Sequence, residues 1–287
     1  MIFKVFSFLC ICDILLSSSV VFGESSGGNN LNCGKPQVKH VQTPSGSQVT
    51  RGAFPWNAAL LTSDGEFFCS GTLISADEVV TAAGCIKAKS SDTSFQPKDI
   101  VVLLGFQNLK SVFEVGRLSV AVKSIRVHND WNPQTASFDA DIAILELDDN
   151  VNFGPYIQPI CLFDAEADAA SLKNASIVGF SSTLNGGVAK VPRLLDTPIV
   201  GFEKCTEEEG YRGLLSNRMI CGGLADGTGP CFGDGGTGMI VAKNGVYYLR
   251  GITSATLINA KGCNNDAYSV FTDVLKFWDW MNELLIQ

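Results

Sequence analysis

Cys231-Phe232-Gly233-Asp234-Gly235-Gly236-Thr237 and Thr81-Ala82-Ala83-Gly84-Cys85, with Asp141-Ile142-Ala143-Ile144-Leu145 between them, decide how this chain folds. Outward from them the sequence breaks into short strands and turns. Ala58-Ala59-Leu60-Leu61, Gly71-Thr72-Leu73-Ile74-Ser75, Ile100-Val101-Val102-Leu103-Leu104 and the run from Asp141 to Leu147 are β-rich. Asp64-Gly65, Asn185-Gly186-Gly187 and Asn244-Gly245 are turn signals, and the last joins Met239-Ile240-Val241 to Val246-Tyr247-Tyr248-Leu249 as a hairpin. Many short strands in succession point to an all-β barrel or sandwich. Only the end departs from this. Val274, Phe277, Trp278, Met281, Leu284 and Leu285 recur at helical spacing behind Asp273, a suitable N-cap. The polar face of that helix holds Asp279 and Glu283, whereas a membrane-surface helix wants a basic face.

The 287 residues are 46% apolar, enough to bury a sizeable core in one or two domains. A net charge of −8 argues against a nucleic-acid partner, which would select a basic surface. Met1 to about Gly23 reads as a signal peptide: Lys4, an apolar run from Val5 to Leu16, then Ser17-Ser18-Ser19 and the small Val21 and Gly23. The run is too short and interrupted to span a membrane comfortably, and no later segment does better. Removing that leader takes Cys10 and Cys12, leaving eight of the ten cysteines and four disulfides in an oxidising compartment. Spacing alone does not fix their pairing. His40 and His128 are the only histidines and no Cys/His cluster is present, so no metal or cofactor is expected. Glu24 to about Asn32 is polar and Gly/Ser/Asn-rich, a disordered lead. Asn174-Ala175-Ser176 is the only glycosylation sequon, placed before the strand Ile177-Val178.

The three opening stretches resemble, in order, the TAAHC, DIAL and GDSGG signatures of the trypsin/chymotrypsin-like serine proteases. Further anchors are Gly52-Ala53-Phe54-Pro55-Trp56, Cys69-Ser70-Gly71-Thr72-Leu73-Ile74, Pro159-Ile160-Cys161-Leu162, Met219-Ile220-Cys221-Gly222-Gly223, Gly251-Ile252-Thr253-Ser254 and Val270-Phe271-Thr272-Asp273-Val274. Each alone is a weak signal, but these six together with Asp141 to Leu145, seven in order with matching cysteines, are a strong one. Gly227-Thr228-Gly229-Pro230-Cys231 is further similar to an arthropod subgroup that includes gastrulation-defective-like proteases. The resemblance runs from about Thr43 to the C-terminus. It implies two packed six-stranded antiparallel β-barrels, over about 43–155 and 156–287, closed by a C-terminal α-helix. Residues 24–42 become the lead and pro-segment, and the implied pairing is Cys33–Cys161, Cys69–Cys85, Cys205–Cys221 and Cys231–Cys263.

Glycine stands at position 84, where the family has its base histidine, and at position 235, where it has its nucleophilic serine. Only the orienting carboxylate, Asp141, remains. The chemistry needs an oxygen to attack the carbonyl and an imidazole to take its proton. Glycine supplies neither. Without its imidazole, Asp141 is expected to be a satisfied buried carboxylate, held by backbone amides and by Ser254, its partner in the family. The backbone N–H groups of Gly233 and Gly235 remain where the family builds its oxyanion hole, but Gly236-Thr237-Gly238 replaces the usual Gly-Gly-Pro. The pocket-base position is Gly229, so selection of Arg or Lys is not expected. His128 matches a structural His-x-x-Trp turn rather than a substitute base, and Thr237 has no base beside it.

The activation switch has changed as well. Counting back from Gly52, the family's Ile-Val-Gly-Gly positions read Thr43-Pro44-Ser45-Gly46 after Gln42, with no basic residue before the cut and no apolar terminus to pair with Asp234. The resemblance therefore implies a secreted, non-catalytic serine protease homologue. It would act by binding, as cofactor, scaffold or decoy in an extracellular immune or reproductive cascade. The implied partners are extracellular proteins, active proteases or their substrates, with no nucleic acid and no membrane. The competing expectation is weak hydrolysis supported by the oxyanion donors alone.

Overall fold

The computed structural model describes residues 33–39, 44–87, 94–163, 169, 171–181, 188–260 and 262–285. The expected signal peptide, the lead up to Asn32, His40, Gln42, Thr43 and the Asn185-Gly186-Gly187 turn lie outside them. Among the described residues no helix is long and apolar enough to cross a membrane.

Strands β1 (Asn57–Thr62), β2 (Phe67–Leu73), β3 (Glu78–Thr81), β4 (Ile100–Leu104), β5 (Leu118–Val127) and β6 (Ala143–Leu147) form a closed antiparallel barrel in the order β1-β2-β3-β6-β5-β4. Closure comes from β1, which pairs with β2 on one side and β4 on the other. Period-two patterning drives it: along β5, Val120 and Val122 are buried while Ser119, Ala121 and Lys123 face out. Leu60, Leu73, Val102, Leu104, Ile144 and Leu145 fill the core, each worth about 1.5–3 kcal/mol on burial.

The second half is a seven-stranded sheet rather than the expected six. Its order is β8 (Arg193–Asp196), β7 (Ala175–Gly179), β11 (Gly238–Lys243), β12 (Val246–Ala255), β15 (Ser269–Asp273), β10 (Met219–Gly222) and β9 (Ile199–Val200). The two edge strands are consecutive in sequence, separated only by Thr197 and Pro198. So short a link obliges the edges to approach within a few residues' reach, and the sheet curls into a barrel with its seam there. Pro198 has no N–H to donate, which explains why one bent strand is split in two. A separate ribbon pairs β13 (Ile258–Asn259) with β14 (Gly262–Cys263). The hairpin at Asn244-Gly245 has φ of 53° and 78°, the two left-handed residues of a type I′ turn.

The halves are strapped together at both ends of the chain. Cys33–Cys161, the Gly34 N–H donating to Pro159 O at 2.9 Å and the Tyr247 N–H donating to Gly34 O at 2.8 Å tie the leading segment to the second half. Trp56 is buried against Tyr247 at 5.4 Å between ring centroids. At the other end, the Asp273 carboxylate accepts from the Leu275 N–H at 3.1 Å and starts a 3-10 turn, Val274–Phe277, that runs into α3 (Trp278–Leu285). Phe277 and Met281 are buried in the core that also contains Val120 and Trp131 of the first half, while Asp279 and Glu283 stay exposed. The remaining disulfides are Cys69–Cys85, Cys205–Cys221 and Cys231–Cys263. The helices α1 (Ala83–Ile86) and α2 (Phe202–Glu207) are single turns.

Candidate functional site

Three chain reversals deliver the site. Gly84 lies in α1, directly after β3 ends. Asp141 precedes β6, and Ala140 before it takes a left-handed φ of 54°, a conformation costing a non-glycine residue about 1–2 kcal/mol. Gly235 sits in the tight turn that leads into β11. That turn is fastened to both barrels: the Ser70 N–H donates to Gly235 O at 2.9 Å, and the Gly236 N–H donates to Thr253 O at 2.9 Å.

Gly84, Asp141 and Gly235 line one cavity of about 270 Å³, together with Ser254, Trp131, Phe138 and the Cys69–Cys85 disulfide. Asp141 is buried. Its Oδ1 accepts the Gly84 N–H at 2.6 Å, its Oδ2 accepts the Ser254 hydroxyl at 2.6 Å, and its carbonyl accepts the Thr272 hydroxyl at 2.8 Å. Asp141 of the first barrel thereby joins Ser254 on β12 through its carboxylate and Thr272 on β15 through its backbone carbonyl. The two bonds to the carboxylate are short, at 2.6 Å each.

Each of the two glycines leaves room for a Cβ. A Cβ built on Gly84 would lie 3.4 Å from Asp141 Oδ1, and one on Gly235 would lie 3.7 Å from the sulfurs of Cys69 and Cys85. Both are ordinary contacts. Gly236 differs, since with φ of +80° its Cβ would fall 2.2 Å from Thr81 Oγ1 and 2.3 Å from Ser70 O. Among the described residues, neither the Gly233 nor the Gly235 N–H donates to a protein acceptor, and of the two only Gly235 lines the cavity.

The other residues singled out in the sequence lie elsewhere or act structurally. The His128 ring meets Phe277 at 5.0 Å and Trp280 at 5.1 Å, and its Nδ1 accepts the Asp130 N–H. Burial holds its pKa below the usual histidine range. Thr237 is buried, and its carbonyl accepts both the Thr253 N–H and the Thr253 hydroxyl. Gly229 is covered by Asn265, whose Nδ2 donates to Gly229 O at 3.3 Å. Asn174 is exposed immediately before β7.

Asp234 is fully buried and receives the Ser181 hydroxyl and the Cys231 N–H on Oδ2. Burial pushes its pKa up to about 6, against the lowering effect of those two bonds. Gly179 must be glycine, because a Cβ there would sit 2.1 Å from Asp234 Oδ1. The sequence left the partner of Asp234 open; Ser181 is that partner. Ser181 and Asn265 were both missed, for each meets its contact through tertiary structure, across 53 and 36 residues of chain. The one local hint was a polar residue directly after the apolar strand β7.

Comparison with known proteins agrees with this architecture. The Trypsin family model matches residues 43–281. The chain is similar to Serine protease gd of Drosophila melanogaster, with 32% identity over 278 residues, covering 83% of this chain and 52% of that protein. It is also similar to the Proclotting enzyme of Tachypleus tridentatus, with 32% identity over 265 residues, covering 88% of this chain and 69% of that protein. The chain spans about half the length of the first of these relatives. Two barrels meeting over a cavity floored by Asp141, and a family match across nearly all the described residues, place this chain in the trypsin family of serine proteases.

Proposed function

We propose that this chain is a secreted, non-catalytic member of the trypsin family that works by binding extracellular proteins, as a cofactor, scaffold or decoy. The observation that carries the reading is the pair of glycines, Gly84 and Gly235, facing a cavity in which Asp141 is the only titratable side chain among the described residues. Acyl transfer by this fold needs a nucleophile and a base within hydrogen-bond reach of each other. The nearest hydroxyl, Ser254, already donates its proton to Asp141. Loss of the nucleophile or the base alone costs subtilisin on the order of 10⁶ in turnover.

Four disulfides, the leader-like start and the exposed Asn174 sequon favour secretion as a glycoprotein. A gel mobility that glycosidase leaves unchanged would count against the glycan. A partner class of active proteases or their substrates follows from relatives whose names denote proteolysis and clotting. The surface offers a rigid apolar contact: Val112, Phe113 and Val115 are 95%, 82% and 73% exposed. Their loop is braced by Glu114 accepting the N–H groups of Gln107 and Asn108, and by Arg51 donating to Val115 O. Exposed apolar patches of this kind mark interaction sites.

The test is steady-state turnover of peptide esters and amides by the purified secreted protein. Rates at the buffer background support the reading, and rates typical of active family members would overturn it.

A further inference from the structure

The chain entering β7 sets its glycosylation sequon at the rim of an apolar hollow. Ala175 and Ile177 of that strand are buried in the core of the second half, with Met239 and Val241 of β11. Side chains alternate along a strand, so Asn174 and Ser176 belong to the opposite face. There Ser176 pairs with Ile240 of β11, and Ala242 of β11 pairs with Tyr247 of β12. The hollow on this face measures about 110 Å³ and is walled by the buried Phe54, Leu194 and Ile240 and the half-buried Tyr247. Phe54 and Tyr247 stand edge to face, with ring centroids 5.8 Å apart. The exposed Asn174 and Ala242 complete the rim with Ser176.

Size and position select the occupant. The hollow is well above the ~30 Å³ of one water and well below the roughly 300–1,000 Å³ of sites that hold free drug-sized ligands. A free molecule small enough to fit binds weakly, because association costs it translational and rotational freedom. A group tethered at the rim has already lost most of that freedom and acts at a high effective concentration. Asn174 is the tether, since it heads the only sequon in the chain and itself lines the hollow. The first sugar of an asparagine-linked glycan is N-acetylglucosamine. Its C–H face and acetyl methyl suit the aromatic and aliphatic walls, while its hydroxyls stay in water. We propose that Asn174 carries a glycan whose first N-acetylglucosamine seats in this hollow and covers Phe54, Leu194 and Ile240, so that one sugar becomes part of the fold. The attachment balances by exchange. Nδ2 of Asn174 gives up one proton and bonds to C1 of the sugar, while the bond from C1 to the diphosphate of a polyprenyl-linked oligosaccharide donor breaks and the diphosphate leaves. This rests on the glycoprotein reading given above, adds the seat of the sugar, and is independent of catalysis.

The secreted protein, produced in cells whose glycans stay high-mannose, is compared in three forms: untreated, trimmed by an endoglycosidase to the single sugar on Asn174, and stripped by an amidase. Intact mass verifies each form. The untreated and single-sugar forms are expected to melt together, and the stripped form about 3 °C lower. Asn174→Gln, which never carries the sugar, should melt with the stripped form, and so separates loss of the sugar from the charge that the amidase leaves. In the single-sugar form the acetyl methyl proton resonance should lie upfield of that in free N-acetylglucosaminyl-asparagine, through the ring currents of Phe54 and Tyr247. Tyr247→Leu should abolish the difference between the single-sugar and stripped forms, as expected of a directly coupled pair. Should that variant not be secreted, the methyl shift in the parent protein decides. A mass that the amidase leaves unchanged would overturn the glycoprotein reading and the seat together. A mass that falls while melting is unaltered, or an unshifted methyl, would overturn the seat alone. So would a single-sugar form as unstable as the stripped one, because the stabilisation would then come from the outer sugars.

Discussion

The Ser254 hydroxyl donates to Asp141 Oδ2 at 2.6 Å, and this bond links the strand β12 of one barrel to the entry of β6 in the other. The carboxylate that orients a base in active relatives is here a structural tie. Ser254→Ala removes a part-buried hydrogen bond to the buried Asp141 carboxyl and is expected to lower stability by about 1–3 kcal/mol in urea unfolding. A loss below about 0.5 kcal/mol would show that the tie carries no weight.

Asp234 makes stability depend on pH. Its folded pKa of about 6 lies above the ordinary aspartate value of 3.8, so between those values the folded state holds a proton that the unfolded state has released. Stability from this group is therefore fully present below about 3.8 and is lost as pH rises through 6. Asp234→Asn should flatten that part of the profile, as measured by denaturant midpoints from pH 4 to 8. A wild-type profile that rises from pH 4.5 to 7, with the same rise in Asp234→Asn, would assign the slope to other groups. Ser181→Ala, which removes one of the bonds that lower the pKa, should move the inflection upward.

Glycines in the same turn are predicted to differ sharply in tolerance. Gly235→Ala adds a Cβ at 3.7 Å from its nearest neighbours and should change stability by less than about 1 kcal/mol. Gly236→Ala combines a φ of +80° with contacts of 2.2 and 2.3 Å and should cost more than about 3 kcal/mol or prevent secretion. Equal melting temperatures for the two variants would contradict the described turn.

How far the sequence announced all this varies by element. Ile100 to Leu104 is a short apolar run of β-branched residues and Leu, and it is β4 from end to end. Asp273 was legible as an N-cap from its place before the helical spacing, although the first turn proved to be 3-10. Gly71 to Ser75 was read as a strand, yet β2 is Phe67–Leu73, because pairing with β1 reaches back to Phe67 through a bulge, and Ser75 bonds Asp77 in a turn instead. The ten-residue β5 went unread, since Ser119, Lys123 and Ser124 dilute its alternation. At the site, Gly84, Asp141 and Gly235 could be picked out by local motif. Ser181 and Asn265 could not, because only the tertiary fold brings them to Asp234 and Gly229.

Reversion should restore the side chains without restoring the enzyme. There is room for Gly84→His and Gly235→Ser, so the double variant is expected to fold. Its peptide-ester turnover is expected to stay far below that of active relatives. Asp234 is occupied by Ser181 and Cys231, and the sequence Thr43-Pro44-Ser45-Gly46 offers no apolar terminus to replace them. A misplaced oxyanion donor forfeits on the order of 3 kcal/mol of transition-state stabilisation. Replacing residues 42–46 by Arg-Ile-Val-Gly-Gly and cutting after the Arg should raise the rate further. Full activity in the double variant alone would refute the claim that the switch decayed with the site.

Reaction with a fluorophosphonate, read by intact mass, tests the central claim most directly. The reagent bonds covalently to an activated serine, and among the described residues Ser254 is the only hydroxyl side chain lining the cavity. The account predicts an unchanged mass after prolonged exposure, under conditions that fully label an active trypsin-family control. A stoichiometric adduct on Ser254, or on any other residue of the purified protein, would show that a nucleophile persists and would contradict it.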